Sequence, residues 1–263
     1  FTTEHSIDQL KQTILQLAVM GKLVPQNEND EPASVLLEKI AAEKEQLIKD
    51  KKIKKQKPLS DIGEDEKPFD LPKGWEWERL GNIVTIRGGK RVANGYKLST
   101  EPTPYIYIRV KDMKDGSIDS HDLHYIDESM REKIKRYIIT KDDLYMTIVG
   151  ATIGKCGLVP AMFDNMNLTE NAARLTPFTG VDKQFLYNIL RSDFCQNQFL
   201  DRTNQVGVQK MALIRLASTL IPIPPSISQS KNVDKVDELM ALCDTLKERI
   251  RESQTTQLHL ADA

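Results

Sequence analysis

Residues 87–97 carry four cations and no carboxylate: Arg87, Lys90, Arg91 and Lys97, interleaved with Gly88, Gly89, Asn94 and Gly95. Three glycines predict a mobile loop, and a mobile cationic loop can lie along a phosphate backbone or enter a groove. Arginine bonds guanine bidentately and asparagine does the same with adenine, so the segment could read bases as well as hold phosphates. Taken alone, it also fits a solvated basic hairpin.

A second loop, residues 150–156, runs Gly-Ala-Thr-Ile-Gly-Lys-Cys. Only three residues separate its glycines, where a nucleotide phosphate cradle needs four, and Cys156 stands where a hydroxyl would hold magnesium. The better reading is a turn of small residues through which backbone amides and Lys155 approach a phosphate. Two further segments are dense in side-chain amides. Residues 165–171 include Asn165, Asn167 and Asn171, and residues 202–210 include Asn204, Gln205 and Gln209 beside Lys210. Amides pair with base edges but equally with water, and each segment by itself reads as a surface loop.

Other chemistry is thinly supported. His121 and His124 lie three apart with no Cys or carboxylate cluster to complete a metal site. The lysine run 49–57 reads as a solvated helix end, with phosphate contact the lesser alternative. Neither an Asn/Asp-Pro-Pro-aromatic methylation motif nor a Gly-x-Ser-x-Gly elbow occurs. Cys156, Cys195 and Cys243 form no Cys-x-x-Cys pair, which fits a reducing, cytoplasmic compartment. The net charge of −1 gives nucleic-acid binding no support in bulk, so the argument rests on how charge is distributed.

These loops need elements to position them. A first helix is predicted from a Ser6–Gln9 capping box, with Ile7, Leu10, Ile14 and Leu17 as its apolar stripe and Gly21 as its stop. A second is predicted from Ala33 to about Gln56, followed by an acidic, proline-containing linker over residues 58–72. Residues 73–223 then change character. Short strands are predicted over 83–87, 105–110, 145–149 and 173–176, with turns at Gly88-Gly89, Asp115-Gly116 and Thr179-Gly180 and helices over 182–202 and 208–216. The fold class is α+β. After an extended Ile-Pro-Ile-Pro-Pro segment (221–225), Ser226 and Gln229 repeat the capping-box spacing. Val236, Leu239, Cys243, Leu246, Ile250, Ser253, Gln257 and Leu260 then fall on strict a/d positions. A helix of ~32 residues would be ~48 Å long, and so narrow a seam needs a partner helix, for which the first helix is the candidate. With Phe1 directly upstream of a helix start, the chain reads as a piece of a longer protein.

Several segments together resemble the specificity (S) subunit of type I restriction-modification systems: residues 10–25 (LKQTILQLAVMGKLVP), 31–40 (EPASVLLEKI), 71–77 (LPKGWEW), 149–157, 221–225 and 236–244 (VDELMALCD). The resemblance implies a target recognition domain of short strands and helices, attached to long helices that form an antiparallel coiled coil. It divides the chain into the end of a proximal spacer helix (1–26), a second helix and linker (27–72), a recognition domain (73–222) and a distal spacer helix (223–263). It also implies sequence-specific recognition of one half of a bipartite duplex DNA target. The helices would dock methyltransferase subunits and, through them, restriction subunits. S-adenosylmethionine and ATP would belong to those partners, leaving this chain non-catalytic and without a cofactor or metal. On that reading Arg87, Lys90, Arg91, Lys97 and Lys155 position phosphates and Asn94, Asn171, Asn204, Gln205 and Gln209 are candidates for base edges, with Lys210 in the same contact loop. One departure is Ser228-Gln229, where the family usually has Glu-Gln. Two other readings stay open: a coiled-coil scaffold whose α+β part never touches DNA, and an enzyme built around His121, His124 and Asp127.

Overall fold

The computed structural model describes residues 3–200 and 210–261. Helix α1 (Glu4–Val19) starts one turn before the expected cap, because Thr3 and not Ser6 supplies the capping oxygen, accepting from the Ser6 N–H. It stops as expected at Gly21, whose φ of +67° lets Lys22 N–H return to the Leu17 carbonyl. Helix α2 (Ala33–Lys49) ends seven residues earlier than the sequence suggests. Lys51 adopts a left-handed φ of +57°, and the Lys51 and Lys52 N–H groups turn back onto the Ile48 and Leu47 carbonyls. Residues 58–72 are not a loose linker. Arg79, 5% exposed, donates to the Ser60 and Asp61 carbonyls and to Glu66 at 2.7 Å, binding this segment to the domain as a strap.

The domain closes where the chain enters and leaves it. Strand β1 (Glu76–Arg79) pairs antiparallel with β11 (Leu220–Ile223), Trp77 opposite Pro222. The short helix α3 (Leu80–Ile83) leads into β2 (Val84–Gly88), the edge of a four-stranded sheet ordered β2-β10-β7-β8, with β7 at Leu144–Thr147, β8 at Cys156–Leu158 and β10 at Ala172–Pro177. A smaller sheet joins β3 (Tyr107–Ile108), β9 (Met166–Leu168) and β6 (Ile138–Ile139), the first pair parallel. A hairpin of β4 (Met113–Lys114) and β5 (Ser117–Ile118) turns on Asp115 and Gly116, both at positive φ as a two-residue turn requires. Helix α4 (Glu128–Ile134) covers the small sheet. The helix expected over 182–202 is two, α5 (Lys183–Leu190) and α6 (Asp193–Phe199), because Ser192 caps α6 and breaks the run. The last expected helix shrinks, among the described residues, to α7 (Leu213–Ala217).

Helix α8 (Ser226–Ala261) has 36 residues, about 54 Å at the helical rise. Its inner face, Val236, Met240 and Cys243, buries against Ile7, Ile14, Leu15 and Ala18 of α1. Ion pairs flank the seam, Lys11–Asp244, Asp8–Lys247, Glu4–Lys247 and Glu4–Arg251 among them, and their reversed order shows the helices to be antiparallel. Hydrogen bonds from Arg251 and Lys247 hold Glu4 and Asp8 below the usual carboxylate range. Such solvent-facing pairs set register more than stability. Two expectations of the seam fail. Leu17 is 36% exposed, its place in the stripe taken by Leu15 at 2%, and Leu246 is 42% exposed. Among the described residues no helix is long and apolar enough to cross a membrane.

The seam yields a contrast. Leu15→Ala should cost about 2–5 kcal/mol of unfolding free energy through the cavity it leaves, whereas Leu17→Ala should stay within ~0.5 kcal/mol. Urea unfolding of the two variants beside the parent checks this, and equal losses would show that the seam is wrongly assigned.

Candidate nucleic-acid interface

The pairing of the main sheet decides which loops meet. Antiparallel register sets Gly88 opposite Ala173, Ala172 opposite Thr147 and Met146 opposite Cys156. The end of β2, the start of β10, the end of β7 and the start of β8 therefore lie at one end of the sheet. Three connections leave there: the cationic segment after β2, residues 169–171 before β10, and the 148–155 hairpin. A fourth segment joins them through a bridge between Val149 and Lys210. Lys90, Asn171, Lys155 and Lys210, far apart in sequence, are so brought to one edge.

The root of the 87–97 segment is pinned, contrary to the expected mobile loop. Gly89 N–H donates to the Ala172 carbonyl and Lys90 N–H to the Leu168 carbonyl, each at 2.9 Å, and the Tyr107 hydroxyl donates to the Lys90 carbonyl at 2.9 Å. A Cβ on Gly89 would stand 2.1 Å from the Thr169 carbonyl oxygen, so this close approach requires glycine. Burial pushes the Tyr107 phenol up to about 12, which keeps it a donor at neutral pH. Gly95 differs: its φ is +79° and nothing lies within 4 Å of its Cβ position.

The hairpin is fixed in the same way. Gly154 N–H donates to the Thr147 carbonyl, Thr147 N–H to the Lys155 carbonyl, and Gln196 of α6 donates to the Gly154 carbonyl. Gly150 and Gly154 hold φ of +93° and +88°, as a tight turn requires. Asn171 contributes its carbonyl to Ile148 N–H, which ties the hairpin to β10.

Side chains on this edge divide by engagement. Lys90, Lys155 and Lys210 are exposed, and Lys90 Nζ lies 5.8 Å from the centre of the Tyr137 ring. Asn94 and Lys97 are exposed farther along the segment, where Tyr96 and Leu98 pack with Ile126 and Met130. Arg91, 75% exposed, pairs with Glu170 at 2.6 Å. Burial alone would raise the Glu170 carboxyl, but hydrogen bonds from Arg91 and Thr169 bring it below its ordinary value, so it remains an acceptor. Arg87 donates to the Lys52 carbonyl. Asn171 is half-buried. Asn204, Gln205 and Gln209 lie outside the described residues.

Within the amide-rich 165–171 segment, Asn167 is wholly buried, donating to the Ile134 and Tyr137 carbonyls and accepting from Arg131; Asn165 also accepts from Arg131. Their amides serve the fold. Sequence reasoning passed over Glu170, whose only signal was a lone acid at the start of a strand beside a run of amides. In general a carboxylate can accept from a cytosine amine and an arginine can donate to a guanine. Elsewhere His121 leans on Asp119, and His124 contacts the Asp122 carbonyl. Among the described residues no group of three or more His, Cys, Asp or Glu could hold a metal ion.

A sheet of this kind carried on an antiparallel helix pair is the architecture of two solved chains. One comes from a type I R-M system described for its complex assembly and conformational transition (TM-score 0.60, 16% identity, 97% of this chain and 55% of that one). The other is the HsdS subunit from Thermoanaerobacter tengcongensis (TM-score 0.58, 16% identity, 94% of this chain and 46% of that one). The model of the type I restriction modification DNA specificity domain matches residues 72–253, and the chain belongs to that family. It is 41% identical over 271 residues to the type I restriction enzyme EcoAI specificity subunit of Escherichia coli and 37% identical over 275 residues to its EcoEI counterpart. In both cases the match covers 100% of this chain and 45% of the relative, so the chain spans about half the length of these curated relatives.

The pinned root gives the second test. Gly89→Ala should lower the melting temperature, since a backbone carbonyl must move, while Gly95→Ala should cost only the ~1–2 kcal/mol of left-handed backbone. Thermal denaturation of both variants decides, and a Gly89→Ala protein that melts like the parent would unseat this geometry.

Proposed function

We propose that this chain reads one half of a bipartite duplex DNA target within a type I restriction-modification complex, with the loop end of the four-stranded sheet as its reading edge. The observation that carries the reading is the convergence of cationic and amide-bearing segments on one sheet end. Lys90, Lys97, Lys155 and Lys210 would hold phosphates, and Arg87 would hold one from beside its bond to Lys52. Asn94 and Asn171 would meet base edges, with Asn204, Gln205 and Gln209 proposed alongside them. The Arg91–Glu170 pair suits either role: closed in the free protein, it can open so that Arg91 takes a phosphate or a guanine while Glu170 takes a cytosine.

The chain would carry specificity and no chemistry. Methyltransferase subunits would dock on the α1–α8 helix pair and bring restriction subunits with them. S-adenosylmethionine and ATP would be bound by those partners, in the cytoplasm. The boundaries 73–222 for the reader and 223–263 for the distal spacer belong to this proposal.

Replacing Lys90 and Arg91 together by alanine should weaken duplex binding in the assembled complex. Losing two phosphate contacts should also flatten the slope of log K against log salt by roughly 2. Equilibrium binding across a salt series measures both. An unchanged affinity and slope would remove this edge from the DNA contact and leave the helix pair as a scaffold alone.

A further inference from the structure

Beside the reading edge lies a groove of about 640 Å³ with cations on both walls. One wall is the segment following α2, with Lys51, Lys52 and Lys54. The other is the exposed edge of β2 with Arg87, together with Arg136 and Tyr137 just beyond α4. Among the described residues no carboxylate lines it. The side chains of Lys54 and Arg136 are exposed and, among the described residues, make no hydrogen bond or ion pair, and the Lys52 ammonium has a long 3.8 Å contact with Asp50. Arg174, next to Arg87 across the strands, is balanced by Asp143 at 3.7 Å, so the uncompensated charge belongs to the groove walls.

We propose that this groove is a second phosphate-binding surface, holding the sugar-phosphate backbone of duplex DNA where it continues past the bases met at the sheet end. This rests on the DNA reading above and extends its footprint. The groove is continuous with the reading edge, because Tyr137 lines the groove while its ring carries Lys90. Its chemistry suits a polyanion better than a free phosphate. A small anion is held by a nest of backbone N–H groups, but here the N–H groups of Lys51, Lys52 and Ile53 are spent on the Ile48 and Leu47 carbonyls that end α2. What remains is a row of side-chain charges on long stems, which follows a backbone without reading sequence. A lysine-bearing tail also guards the open edge of β2 against pairing with another strand. That role alone does not account for Arg136, which reaches the groove from the opposite wall.

The test is a groove variant, Lys52→Gln with Lys54→Gln and Arg136→Gln, in the assembled complex beside the parent and the Lys90→Ala/Arg91→Ala variant. All three groove side chains are exposed, so the melting temperature should match the parent. Affinity should fall by the same factor for every duplex tested, leaving sequence preference intact, and the salt slope should flatten by about 3 × 0.9, or ~2.7. A groove variant with the parent's affinity and slope, while the Lys90/Arg91 variant still loses binding, would overturn the groove and spare the reading edge. Loss of sequence preference in the groove variant would make the groove a base reader and overturn the proposal as stated. If neither variant departs from the parent, both readings fall. Saturable binding of inorganic phosphate, seen as a thermal shift that the groove variant abolishes, would replace the backbone track with a small-anion pocket.

Discussion

Strand β10 is hydrogen-bonded on both sides, to β2 and to β7, and antiparallel to each. That double pairing leaves little freedom elsewhere. Once Ala172 and Ala173 are fixed opposite Thr147 and Gly88, every connection that begins or ends beside them must emerge at the same end of the sheet. A slip of one residue would turn each side chain of β10 to the other face, so the buried Ala173 and Leu175 enforce the register hydrophobically. The grouping of these loops at one sheet end is thus a by-product of core packing. Cations that share no contact in the chain become neighbours because their strands do.

The sequence carried much of the architecture and less of the edge. Strict a/d spacing announced a long helix needing a partner, and α8 lies antiparallel on α1. Glycine and proline punctuation placed the turns at Asp115-Gly116 and the extended 221–225 segment. Local signals misled where a tertiary partner intervened. Ser6 has the right spacing for a cap, but Thr3 takes that place. The polar, proline-bearing 58–72 stretch looks like a linker because nothing in it reveals that a buried Arg79 will gather its carbonyls. Likewise, three glycines suggest mobility, whereas Gly89 serves a close backbone approach that only the neighbouring strand demands.

The candidate site was legible as chemistry and not as geometry. Arg87, Lys90, Arg91 and Lys155 stand out by charge alone, but no one-dimensional pattern places Lys210 beside Val149 or Glu170 against Arg91. The amides of Asn165 and Asn167 show the opposite failure, since residues suited to base edges are consumed by Arg131 and by backbone carbonyls. Near-neutral net charge also loses its force. The seam acids at positions 4, 8 and 244 are matched by seam cations, whereas the groove beside the sheet end is lined by Lys51, Lys52, Lys54, Arg87 and Arg136 with no carboxylate among its described lining residues, so charge distribution and not net charge sets the local field.

The orientation of the α+β domain on the helix pair depends on how stiff their joint is, and that joint includes buried polar groups. Gln229, 1% exposed on the first turn of α8, accepts from Asp182 N–H at 2.7 Å and donates to the Gly180 carbonyl. The capping-box spacing of Ser226 and Gln229 therefore serves a latch to the domain instead of a helix cap. Ser228 reaches Asp30 in the loop before α2, and Asn232 donates to the Ala18 carbonyl near the end of α1. The short Ser228 hydroxyl suits its place beside the Asp30 carboxylate, where an acidic side chain would be repelled. Buried donors and acceptors left without partners each cost about 1–3 kcal/mol, so the helix cannot swing away from α5 without exposing unpaired amides or admitting water. Apolar packing alone would tolerate a range of angles at this joint. Directional bonds select one, and with it the direction in which the sheet end faces relative to the rod.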